Sequence, residues 1–168
     1  MLKKITLLFL LLLSACANKE MSQEEKNQQR YLELVNSLQN QENFIESSTY
    51  YNIEGEMASL EDGTYRFYVV IDDARSALYN VEALAIVDGK DYSSEMAASV
   101  GIFEDKEYTM IPHQANVDDG YVLGLVLSGI AEEKEVDLKV MVQWSNKDES
   151  NTKREFLTLH VTLGDNNE

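Results

Sequence analysis

The chain has 168 residues, with 30 Asp and Glu against 14 Lys and Arg and a formal charge of −16. So much negative charge repels nucleic acid and anionic lipid, and it sets both aside as partners of the folded domain. A single cysteine excludes an internal disulfide, and the length suits one domain around one core.

At the N-terminus, Lys3 and Lys4 precede an apolar run, Ile5–Leu13, interrupted only by Thr6. That run is about half of the ~20 residues a membrane-spanning helix needs. A positive start, a short apolar stretch and small residues after it form the layout of a secretory signal. Its end, Leu13-Ser14-Ala15-Cys16, resembles the lipobox of bacterial lipoproteins, in which an aliphatic residue and two small residues precede a cysteine. The resemblance implies a diacylglycerol group on the Cys16 sulfur and cleavage just before it. The mature protein would then be lipid-anchored on the extracytoplasmic side of a bacterial cell membrane. Residues 1–15 are read as the signal peptide and 16–21 as a short polar tether, and losing Lys3 and Lys4 makes the remainder still more acidic.

Residues 22–168 read as a single domain. Ser22-Gln23-Glu24-Glu25 has the form of a capping box. Tyr31, Leu34, Val35 and Leu38 then recur at helical spacing. The pattern predicts one helix over about 22–39, roughly 27 Å long at about 1.5 Å per residue. Its first half has no apolar stripe, so the second half docks if the helix docks at all; a free stalk is the alternative.

From about residue 49 to 163 the period changes to two. Tyr51, Ile53 and Met57 alternate with polar residues, as do Tyr65, Phe67, Val69 and Ile71, and Glu61-Asp62-Gly63 between them is a hairpin turn. Leu78–Val87 reads as a strand closed by Asp88-Gly89, Ser99–Phe103 as a weak one, and Glu107–Ile111 as a short one ended by Pro112. Tyr121–Leu127 is apolar throughout, so burial on both faces is expected, with Ser128-Gly129 as a turn at its end. Val136–Trp144 and Phe156–Leu163 alternate and form the last hairpin. One helix followed by seven or eight strands argues for a mainly β chain, an antiparallel sandwich with an immunoglobulin-like arrangement as first choice. The order excludes βαβ units and with them a nucleotide-binding α/β fold.

Residues that carry chemistry are sparse. His113 and His160 are far apart in sequence, and no His or Cys pair has zinc-ligand spacing. Gly-x-Ser-x-Gly is absent. Asp72-Asp73 and Asp118-Asp119 are adjacent pairs whose members point to opposite faces on a strand, so neither is a catalytic dyad as it stands. The loop Asn146–Asn151 starts like a calcium-binding EF-hand but has Asn151 where glycine is needed and Leu157 where glutamate is needed. No metal, cofactor or catalytic role is assigned, and the protein is read as not an enzyme.

What stands out is charge. No Lys or Arg lies between Arg30 and Arg66, or between Lys106 and Lys134, and both stretches are rich in carboxylates. Glu54 and Glu56 share one face of a strand. Tyr50 and Tyr68 are expected to point outward beside them, unless the helix covers that face. Glu54, Glu56 and Tyr68 are therefore the candidate contacts for a protein partner, a basic one by charge. The function expected is a non-catalytic binding lipoprotein at the cell envelope, an immunity-type protein being one version. A solute- or cation-binding accessory protein and a carboxylate-dependent hydrolase are the alternatives.

Overall fold

The computed structural model describes residues 21–164; the signal, the tether up to Glu20 and Cys16 lie outside the described residues. Helix α1 spans Gln23–Gln39 and begins with the expected capping box. The Ser22 hydroxyl accepts from the Glu25 amide at 3.1 Å, and the Glu25 carboxylate accepts from the Ser22 amide at 2.7 Å. Two of the amides left over at the helix start are thereby satisfied.

Seven strands follow: β1 (Asn52–Ser59), β2 (Tyr65–Asp72), β3 (Tyr79–Val87), β4 (Ala98–Val100), β5 (Leu125–Ala131), β6 (Glu135–Ser145) and β7 (Thr152–Thr162). They form two antiparallel sheets, one ordered β1-β2-β5 and the other β4-β3-β6-β7. The protein is a mainly β sandwich with one N-terminal helix, and its two-sheet arrangement is compatible with an immunoglobulin-like one. Period-two patterning sets the register. Ile53 pairs with Ile71 and Ile71 with Leu125; Gly55 pairs with Val69 and Val69 with Leu127. These inward rows meet Ala83, Ala85, Leu138, Val140, Val142 and Leu157 of the other sheet to make the main core.

A second apolar cluster explains why β3 and β6 are buried on both faces. Tyr31, Leu34, Val35 and Leu38 of α1 lie on Leu84, Ile86, Ala97, Ile102 and Met141. The helix is docked, not a stalk, and it covers the outer face of the four-stranded sheet. Burying each such side chain contributes about 1.5–3 kcal/mol. The Tyr31 hydroxyl also accepts from the buried Ala97 amide at 2.6 Å, which holds the loop before β4 beneath the helix.

Three local expectations are corrected. Glu107–Ile111 is not a strand: its backbone groups go to isolated bridges, Met110 to Leu78 and Thr109 to Tyr121. Tyr121–Leu127 is not buried on both faces. The strand begins only at Leu125, and its alternation leaves Val126 57% exposed, while Leu123 just before it is 60% exposed. Ser128-Gly129 is no turn but the middle of β5. Gly129 is there because the Phe67 ring lies against it; a Cβ at 129 would stand 2.4 Å from Phe67 Cζ. Glycine in that strand marks a close approach rather than a chain reversal.

Candidate functional site

With α1 on one sheet, the outer face of the β1-β2-β5 sheet carries no helix among the described residues. Its side chains stand in rows fixed by the register. Glu54, Val70 and Val126 form one row; Glu56, Tyr68 and Ser128 the next; Ala58, Arg66 and Ile130 the third. Glu54 and Glu56 are exposed, Tyr68 and Val70 are half-buried, and Ile130 is 39% exposed. The face is therefore graded, with carboxylates along β1, apolar side chains along β5 and a tyrosine between them. Both outer strands come from the two stretches that lack Lys and Arg, and Arg66 is the one cation in the three rows.

The structure thus brings Glu54, Glu56 and Tyr68 together on one surface. Tyr50 is not part of it. Its ring centroid lies 5.1 Å from that of Trp144, and its hydroxyl accepts from Lys153 Nζ at 2.9 Å, so it closes an edge of the sandwich instead.

At one end the face runs into a cleft of about 420 Å³ lined by Val70, Asp72, Asp73, Pro112, Leu123 and Val126, among others. Asn52 Nδ2 donates to Asp72 Oδ1 and to Glu54 Oε1, each at 3.1 Å, joining the cleft rim to the acidic row. Asp73 and His113, both beside the cleft, have left-handed backbones with φ of 44° and 61°. Gly124 lies so close to β2 that a Cβ there would stand 2.9 Å from Asp72 Cβ. The sequence pattern marked Asp72-Asp73 only as a pair divided between two faces, but β2 ends at Asp72 and Asp73 turns out of the strand, so both line this cleft; Leu123 and Val126 read as core.

On the opposite side of the molecule, Glu82 is buried beneath α1. Its Oε2 accepts from Arg30 Nη2 at 2.7 Å and from Gln143 Nε2 at 3.0 Å, and Gln143 Oε1 accepts in turn from Arg154 Nε at 2.8 Å. Burial raises the Glu82 carboxyl above the ordinary glutamate range, and Arg30, Arg154 and Gln143 offset this only in part. The network joins α1, β3, β6 and β7. A glutamate inside the apolar run Leu78–Val87 was its signal in the sequence. Strand alternation puts Glu82 on the same side as Leu84 and Ile86, the side that α1 covers, just after a register irregularity between Tyr79 and Glu82.

The remaining candidates stay apart. His160 Nδ1 lies 2.8 Å from Asp137 and Nε2 3.3 Å from Glu135 on the exposed surface of β6 and β7. Asp118 and Asp119 sit in a single 3₁₀ turn, where Asp119 accepts from Asn116 at 2.6 Å. Asn146–Asn151 closes the β6–β7 hairpin through its own hydrogen bonds. Among the described residues no group of three or more His, Cys, Asp or Glu is placed to hold a metal ion, and no helix is long and apolar enough to cross a membrane.

The fold and surface together define a two-sheet β-sandwich with one helix-covered side and one side, acidic and apolar, that nothing covers among the described residues. No protein-family model matches the chain, and neither its sequence nor its fold is significantly similar to any curated protein or solved structure searched.

Proposed function

We propose that this protein is a non-catalytic binding module, held by lipid on Cys16 at the outer side of a bacterial membrane, and that the outer face of β1-β2-β5 meets a basic protein there. The observation that carries the reading is the placement of α1. The helix covers one sheet and leaves the other bare, although that bare face exposes Val126 and Ile130 beside Glu54 and Glu56. Aromatic and apolar side chains rimmed by charge make the usual anatomy of a protein interface. The carboxylates steer a basic partner in and set its orientation more than they deepen affinity. That steering is screened beyond about 8 Å at physiological salt.

A photo-crosslinking side chain placed at Tyr68 in living cells tests the reading, with one at Gln29, on the exposed side of α1, as control. Tyr68 should give a discrete adduct with a basic protein, and Glu54→Lys with Glu56→Lys should abolish it. Identical adducts from both positions, or adducts indifferent to charge reversal, would reduce the face to a solvated surface.

A further inference from the structure

The cleft at the end of the bare face sets two carboxylates among apolar side chains. We infer that it receives a long basic side chain, arginine above all, from the protein partner; the inference rests on the reading of the face given above and adds the anchor that the face would grip.

Val70, Pro112, Leu123 and Val126 give the cleft an apolar lining, and Asp72 and Asp73, with His113, are its ionisable side chains. Leu123 and Val126 are among the most exposed large apolar residues of the described chain, and both stand at this cleft. An apolar side chain inserted here would strip water from two carboxylates and return nothing to them. An acidic one would be repelled. A lysine or arginine lays its aliphatic stem along the apolar lining and delivers its charge to the acids at the rim. Arginine fits better, because its planar guanidinium is weakly hydrated and matches carboxylates with paired donors.

A second copy of this chain is a poor occupant. It would bring its own Glu54 and Glu56 against the first pair and offer Arg66 as the one cation of its three rows. Asn52 bridges Asp72 and Glu54, so the rim and the acidic row act on the same incoming charge.

The test uses the ¹⁵N-labelled full-length chain in detergent micelles, titrated with Nα-acetyl-arginine methylamide. The citrulline analogue, which has the same shape without the charge, is the control. Arginine should shift the amides of Asp72–Ala74 and Leu123–Val126 saturably, and citrulline should bind about tenfold more weakly, as expected for loss of a charged hydrogen bond. Asp72→Asn with Asp73→Asn should remove the response. Val126→Arg, at an exposed position of β5, should block it by filling the cleft from within while leaving the thermal melt of the domain in place. Equal shifts with citrulline, or shifts spread alike over other acids such as Glu132 and Glu133, would overturn the inference. Arginine binding at the cleft without a Tyr68 adduct in cells would reject the partner reading alone. A Tyr68 adduct without arginine binding would reject the cleft alone.

Discussion

Glu82 Oε2 accepts from Arg30 Nη2 at 2.7 Å, and this contact ties the middle of α1 to the centre of the sheet beneath it. Apart from the Tyr31 hydroxyl, which accepts from the Ala97 amide, the buried side chains of α1 meet the sheet through apolar contact. The ion pair fixes which turn of the helix stands over which strand.

The pair has a pH signature. A carboxyl with a raised pKa binds its proton more tightly in the folded state than in the unfolded one. Its ionisation therefore costs stability as pH rises from the ordinary glutamate range through the raised value, and above that the whole cost is present. Glu82→Gln has no such cost. The variant should gain on the wild type as pH moves from mildly acidic to neutral. Thermal melts of both proteins across that range check this, and a constant difference would mean that folding leaves the proton affinity of Glu82 unchanged.

Tyr31→Phe keeps the ring but leaves the buried Ala97 amide without its acceptor. The expected loss is about 1–3 kcal/mol. Leu38→Ala, at a fully buried position in the same cluster, should cost about 2–5 kcal/mol. Urea denaturation measures both. Two wild-type midpoints would mean that α1 contributes nothing to the stability of the sandwich.

Gly129→Ala drives a methyl group into the Phe67 ring. Overpacking of this kind costs about 1–3 kcal/mol. Ser128→Ala, on the exposed side of the same strand, should leave the melting temperature where it is. The pair of variants separates side-chain crowding from any general intolerance of change in β5.

The helix and its cap, both long hairpins and the alternating strands were legible because each depends on residues close in sequence. The bare face was half legible. Glu54 and Glu56 show their shared side through spacing alone, but whether α1 would cover Tyr68 depends on which sheet it chooses. That choice is made by Leu84, Ile86 and Met141, far along the chain. Leu123 and Val126 misled because an apolar run looks the same whether it is buried twice or left half open. Alternation puts Glu82 on the same side as Leu84 and Ile86, but that this side is covered, and the carboxylate buried, depends on α1 docking there from far along the chain.

Cys16→Ser should abolish incorporation of a clickable fatty acid in growing cells and leave the uncleaved precursor. Equal labelling of variant and wild type would remove the lipid anchor from the proposal.

The free edge of β7 is not free. Ile45 lies along it in parallel, its amide donating to the Phe156 carbonyl at 3.0 Å and its carbonyl accepting from the Thr158 amide at 3.1 Å. On the other sheet, β1 carries glutamates at alternate positions of its edge, and β4 is only three residues long. Capped, charged or curtailed edges offer little template to an incoming strand. Three of the four edges are guarded in this way, and β5, which ends the other side of the three-stranded sheet, is the one at which a neighbour's strand has room to pair, so molecules crowded side by side can extend their sheets in one direction only.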